Sequence, residues 1–304
     1  MAKIIYDCDP GVDDALALLL GLNSREVEFY GITTVHGNVP LEKTTLNVCR
    51  ILDYLGLDIP VARGMEKPLK AELINAASIH GSDGLGDTGL LPCSSRRPVH
   101  DYAVEFMLDG VGKGITTIVA TGPLTNISEA FRRNPDVMAK LERLVVMGGA
   151  FHMPGNIDRL SEFNFYVDPD AADYVLQQRV RKVLVPLNVT HKVIMTEEAT
   201  KKLPDTDSGR LAKSVVRKYQ EVYMKNSGFP GNPLHDPLAM GYVINPGFLE
   251  LKPMNVRVEY RGEFTRGVCV PEERPWMKAE PNAEVATGVD GEGFIKYFLS
   301  TISR

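Results

Sequence analysis

Apolar residues along the chain come in short runs broken by polar, glycine-rich turns, and the runs switch between strand-like and helix-like periods. "KIIYDC" near the start reads as a buried strand, Asp13 to Leu22 as a helix, and "VEFYGITTV" (27–35) as a second strand. Over 43–55 the apolar residues Val48, Ile51, Leu52 and Leu55 recur at i, i+3, i+4 and i+7, the spacing of one helix face. Further strands are expected at "ITTIVA" (115–120), "LERLVVM" (141–147) and "KVLVPLNV" (182–189), with helices at 124–132 and 171–179 between them. Strand–helix alternation predicts right-handed crossovers and an α/β fold: a mostly parallel central β-sheet flanked by helices, a Rossmann-like open sheet. The last third changes character. A long helix over 208–226 runs into the loop "NSGFPGNPLHDP". A short helix, strand candidates "NVRVEY" and "EFTRGVCV", and a closing helix near 291–302 follow. No repeat, low-complexity tract or long linker interrupts the pattern, so residues 1–304 read as a single domain.

Polar motifs fall at matching places on this map. "DCDPGVDDA" (7–15) follows the first strand, "HGN" (36–38) the second, "TGPLTN" (121–126) the third and "GGA" (148–150) the fourth. "NVTH" (188–191) spans the end of the fifth. Open parallel sheets bind ligands in the crevice at the carboxyl ends of their strands. Five such loops on one edge predict one composite site.

Composition narrows the ligand. A formal charge of −5 on 304 residues argues against nucleic acid or an anionic membrane as partner, both of which call for basic patches. No apolar run reaches the length of a membrane span, and "MAKIIYDCDPG" lacks the apolar segment of a signal peptide. Four cysteines without CxxC or metal-ligand spacing fit a reducing compartment, so the expectation is a cytoplasmic protein with a small-molecule ligand.

The crowding of Asp7, Asp9, Asp13 and Asp14 then calls for a physical cause, because like charges a few Å apart oppose one another's ionisation. Helix capping accounts for Asp13 or Asp14 but not for Asp7 and Asp9 at the end of a buried strand. A cation, shared protons or wide separation by the backbone would account for them, and a hard divalent cation is the kind that carboxylate oxygens hold. Asp9 and Asp14 flank the Pro-Gly turn, and Asp236 in "HDP" is a third available acid. Such a site acidifies a bound water and keeps a carboxylate beside it as base. In "GNIDRLSEFNFYVDPDAA" (155–172), Asn156, Glu162 and Asn164 suit the hydroxyls of a sugar. Glu162 and Asn164, two apart, share a side if the segment is extended. His235 at a helix start and His80 in "HGSDGLGDTG" are proton-donor candidates near neutral pH. His36 reads as structural. Tyr219 and Tyr223 share a helix face; Tyr219 reads as core, whereas Tyr223 fits packing or stacking on a planar ligand equally well.

Together, "DCDPGVDDA", "TTVHGN", "TGPLTN", "VVMGGAF", "GNIDRLSEFNFYVDPDAA" and "HDPLA", in that order from Asp7 to Ala239, resemble the inosine–uridine-preferring nucleoside hydrolases. The resemblance implies Ca²⁺-dependent hydrolysis of the N-glycosidic bond of uridine, cytidine or inosine, through an oxocarbenium-like transition state. It implies calcium held by Asp9, Asp14, Asp236 and the carbonyl of Thr121, with Asp9 taking the proton from the calcium-bound water. Asp13 and Asn164 would hold the ribose 2′- and 3′-hydroxyls, with Asp236 and Asn38 close by. Asn156 and Glu162 would bind the 5′-hydroxyl, Met147 would pack against the sugar, and His235 or His80 would serve the leaving base. A histidine in "SIHGSDG" resembles the branch that favours pyrimidines; the purine branch sandwiches its base with tryptophans, and the single tryptophan here is Trp276. A homo-oligomer, dimer or tetramer, is implied as well. Two other readings compete on the residues alone. Asp7-x-Asp9 after a first strand is also the beginning of a haloacid-dehalogenase-type phosphatase, although the adjacent Asp13 and Asp14 fit that pattern poorly. A calcium-dependent nucleoside or sugar binding protein would use the same acids without turnover.

Overall fold

Ile4, Ile5 and Tyr6 are wholly buried, as a strand covered on both faces by helices requires. They belong to the central strand of the fold. The computed structural model describes residues 1–91, 93–94, 98 and 102–303. In chain order the strands are β1 (Ala2–Cys8), β2 (Val27–Thr34), β3 (Val61–Arg63), β4 (Thr117–Ala120), β5 (Arg143–Met147), β6 (Lys182–Val185), β7 (Ile194–Thr196), β8 (Gly231–Pro233), β9 (Leu249–Met254), β10 (Val256–Val258), β11 (Cys269–Pro271) and β12 (Ala283–Val289). Eight of them form one sheet in the order β3-β2-β1-β4-β5-β6-β12-β9, all parallel except the edge strand β9. β10 pairs with β11 and β7 with β8 in two small antiparallel ribbons.

This order has a physical consequence. After β1 the chain builds outward through β2 and β3, then returns to β1's other side with β4 and continues to β5 and β6. The loops leaving β1 and β4 therefore part in opposite directions and open a crevice at the carboxyl ends of those strands. Main-chain bonds fix its two lips: Thr121 N–H donates to the Asp7 carbonyl at 2.9 Å, and Val35 N–H to the Cys8 carbonyl at 3.0 Å.

The helix Val12–Asn23 is apolar on nearly all sides and buried from Val12 to Gly21, so it lies within the core. It packs against the helices Asp207–Ser227 and His235–Ile244. That packing brings the C-terminal third of the chain over the loop after β1.

Most expected elements are present, with three departures. The strand expected over 182–189 ends at Val185, because Pro186 cannot continue the ladder, and Leu187–Thr190 is a helical turn. Within the expected loop 226–237, Gly231–Pro233 is a strand paired to β7. Of "EFTRGVCV" only Cys269 and Val270 enter a strand, β11. No helix among the described residues is long and apolar enough to cross a membrane.

Candidate active site

Four strand ends and two helices converge on a cleft of about 320 Å³. Asp13, Asn38, His80, Thr121, Met147, Asn156, Glu162, Asn164, Tyr223, His235 and Asp236, all candidates in the sequence, line it. Asp9 and Asp14 are fully buried and do not belong to its wall.

The acidic part begins with the Pro-Gly turn. A Cβ at Gly11 would lie 2.5 Å from His80 Nδ1 and 2.6 Å from Asn38 Nδ2, so glycine is what lets those two side chains close over the turn. Asp14 Oδ2 accepts from Gly11 N–H at 2.9 Å and from Asn38 Nδ2 at 3.1 Å, and Asp14 Oδ1 accepts from the Thr121 hydroxyl at 2.7 Å. Asp9 Oδ2 accepts the Asn38 backbone N–H at 2.7 Å, an approach open only because Gly37 has no side chain: a Cβ there would lie 1.9 Å from the same oxygen. Asp9 Oδ1 and Asp13 Oδ1 are buried and have no hydrogen-bond partner.

Asp13, Asp14 and Asp236 each offer an oxygen within 4.8 Å of the others. Burial, first of all, pushes Asp13 up to about 6 and Asp14 up to about 7, and it holds Asp9 and Asp236 well above the usual carboxylate range. Neighbouring carboxylates add to the shifts of Asp9, Asp14 and Asp236. An all-oxygen donor set with two orphaned oxygens fits a hard divalent cation, which would relieve both the repulsion and the missing partners. The converging trio includes Asp13 rather than Asp9, whose Oδ2 is engaged by the Asn38 N–H.

The amide part departs from the expected geometry. Glu162 and Asn164 do not lie in an extended segment; Glu162 caps the helix Phe163–Val167. Its oxygens accept from the backbone N–H groups of Asn164 (2.8 Å), Phe165 (3.1 Å) and Gly149 (3.0 Å), and burial pushes its carboxyl up to about 7. Asn164 Nδ2 donates to the carbonyls of Thr121 at 2.7 Å and Met147 at 3.2 Å, tying the ends of β4 and β5 together. Asn156 Oδ1 accepts from Phe163 N–H at 2.8 Å.

The aromatic and imidazole part comes from three distant segments. His235 Nε2 lies 3.0 Å from the Tyr223 hydroxyl and its Nδ1 lies 2.8 Å from the Thr190 hydroxyl. Burial holds His235 well below the ordinary imidazole value, with His191 and His80 adding to the effect. The lowered value favours the neutral ring, which offers an N–H. His80 Nδ1 accepts the Val12 N–H at 3.1 Å, which leaves the proton of the neutral ring on Nε2; burial pushes this histidine down to about 3. Tyr219, read from the sequence as core, is buried but also donates to Asp13 Oδ2 at 3.2 Å. His191 and Phe229 line the cleft too; "NVTH" places His191 at the sheet edge without giving it a role, and nothing in the local sequence marks Phe229 as more than a packing residue. His36 is wholly buried against Thr125 at 2.9 Å, in keeping with a structural part. Trp276 is 75 % exposed and is not part of the cleft.

The family model described as inosine-uridine preferring nucleoside hydrolase matches residues 4–296. A pyrimidine-specific ribonucleoside hydrolase RihA of Salmonella paratyphi A is 40 % identical over 300 residues, covering 96 % of this chain and 95 % of that protein. Among solved structures, a purine-preferring ribonucleoside hydrolase from Gardnerella vaginalis superposes with a TM-score of 0.93 at 33 % identity, covering 99 % of this chain and 98 % of that one. A plant nucleoside hydrolase, the PpNRh1 enzyme, gives a TM-score of 0.93 at 30 % identity and covers 99 % of both chains. The chain belongs to the inosine-uridine preferring nucleoside hydrolase family and is an N-glycosidase acting on ribonucleosides.

Proposed function

We propose that the enzyme hydrolyses uridine, cytidine and inosine to ribose and free base, with Ca²⁺ as its cofactor. The observation that carries this reading is the convergence of Asp14, buried behind the wall, with Asp13 and Asp236, which line the same cleft as the hydrogen-bonded Tyr223–His235 pair. Asp14 and Asp236 of that trio, together with Asp9 and the Thr121 carbonyl, would hold calcium, which would supply a positive centre that lowers the pKa of water and keeps the carboxylates ionised.

The chain's own residues do the rest. Asp9, whose Oδ1 has no partner in the fold, takes the proton of the attacking water as general base. Asp13 and Asn164 grip the ribose 2′- and 3′-hydroxyls, with Asn38 and Asp236 beside them; Asn156 and Glu162 serve the 5′-hydroxyl end, and Met147 packs against the sugar. As the C1′–N bond breaks, positive charge grows on the sugar, and carboxylates already fixed around it stabilise that charge without reorganising. The departing base gains negative charge. The His80 Nε2–H and the Tyr223 hydroxyl, backed by His235, are the donors that meet it. A histidine and two tyrosines in place of flanking tryptophans favour the pyrimidine and inosine preference.

Incubating the purified protein with uridine, cytidine, inosine, adenosine and guanosine and assaying reducing sugar tests the reading. Uridine, cytidine and inosine should release ribose fastest. Release confined to adenosine and guanosine would contradict the proposed base preference, and folded, calcium-loaded protein releasing none would contradict the activity.

A further inference from the structure

Asp13 presents two chemically different oxygens to its surroundings. Oδ2 accepts the Tyr219 hydroxyl at 3.2 Å, whereas Oδ1 is buried without a hydrogen-bond partner in a residue that lines the cleft. Tyr219, 206 positions away in sequence, is itself packed between two rings. The His80 ring lies against it, with centroids 5.1 Å apart and 31° between the planes, and Tyr223 meets it edge-on at 4.8 Å and 70°. His80 is pinned in turn by the N–H of Val12, the residue just before Asp13. The links form a closed ring: Val12 N–H to His80, His80 against Tyr219, Tyr219 hydroxyl to Asp13. The terminal torsion of an aspartate is broad and two-fold, so the hydroxyl helps to fix which oxygen faces the sugar, beside the backbone N–H groups of Asp13 and Asp14 and the Asp236 carboxyl that also act on this carboxyl group.

We propose that Tyr219 is a positioning residue that sets the preference for ribonucleosides over 2′-deoxyribonucleosides. By engaging Oδ2 it commits Oδ1 of Asp13 to the sugar's 2′-hydroxyl; this rests on the reading above that Asp13 receives a ribose hydroxyl. A buried acceptor built for a substrate hydroxyl rejects the analogue that lacks it, because the acceptor is then left unpaired. Loosening the acceptor weakens the grip on uridine but changes little for 2′-deoxyuridine, which never had that bond.

The test measures kcat/KM for uridine and 2′-deoxyuridine in the wild type, Tyr219→Phe and Tyr223→Phe, with thermal melting of each variant. Tyr219→Phe keeps the ring against His80 and removes only the hydroxyl. The uridine/2′-deoxyuridine ratio should fall about tenfold, the effect of losing one hydrogen bond to a charged group. Tyr223→Phe, on the same helix face but bonded to His235, should slow both substrates alike and leave the ratio where it was. Tyr219→Leu, lacking ring and hydroxyl, should shift the ratio in the same direction, which guards against one ill-folded variant. An unchanged ratio in Tyr219→Phe, with wild-type uridine turnover intact, would overturn the role of Tyr219 alone. Absence of uridine turnover in the wild type would overturn the hydrolase reading and this inference with it.

Discussion

The Tyr223 hydroxyl and His235 Nε2 lie 3.0 Å apart, and the other ring nitrogen of His235 is engaged by Thr190. Both ring nitrogens of His235 are thus engaged within the fold, although the residue itself lines the cleft. If the pair serves the leaving base, its value depends on how poor that leaving group is. His235→Ala should slow uridine hydrolysis by about two to four orders of magnitude, yet slow an activated nitrophenyl riboside little. Steady-state rates on the two substrates check this. Equal losses on both would contradict a leaving-group role.

Asp9 supports a second expectation. Asp9→Asn keeps the volume and the acceptor for the Asn38 N–H but removes the basic oxygen. The variant should melt near the wild-type temperature and lose about two to four orders of magnitude in kcat. A near-normal kcat would remove Asp9 as base.

A third expectation concerns pH. Asp7, Asp14 and Glu162 are pushed up to about 7 and Asp13 up to about 6, all by burial. These folded-state values exceed those of the unfolded chain, so the ion-free fold binds more protons than the unfolded chain between about pH 4 and pH 7. Its stability falls as pH rises through that window. His36 and His191, pushed down to about 4, His80, down to about 3, and His235, held well below the ordinary imidazole value, act in the opposite sense. Most of their effect lies below about pH 6.5, where half of the free imidazoles have already lost their protons, and the smaller remainder is outweighed by the carboxyl groups. Calcium-stripped protein should thus melt lower at about pH 7.5 than at about pH 6.5, and added calcium should raise the melting temperature more at the higher pH. A melting temperature that rises over this interval without calcium would contradict the assignment.

Sequence patterns revealed the parts of the fold that are buried on both faces. β1, β2, β4, β5 and β6 are apolar runs with helices between them, and loops at their carboxyl ends could be aligned without any structure. β9 and β12 were not legible, because "LELKPM" and "AEVATGV" mix exposed and buried positions at a sheet edge, and β3 is only three residues long. The helix Ala103–Gly112 was missed too; its final turn carries two glycines. In the site, the acids were legible because carboxylates crowded after a buried strand repel one another unless a cation or shared protons offset the charge. The contact of Tyr219 with Asp13 was not, since a tyrosine facing the core and one facing a carboxylate share the same helical spacing. Nor was the anchoring of Glu162 by three backbone N–H groups, which depends on a helix turn where an extended segment had been expected.

The most direct test of the account is uridine hydrolysis by protein stripped of metal, verified by elemental analysis, and then supplied with calcium. Ribose release should be lost on stripping and return as calcium fills one site per chain. Full turnover by verified metal-free protein would contradict the central claim that the buried carboxylates of Asp9, Asp14 and Asp236 work as holders of a catalytic cation.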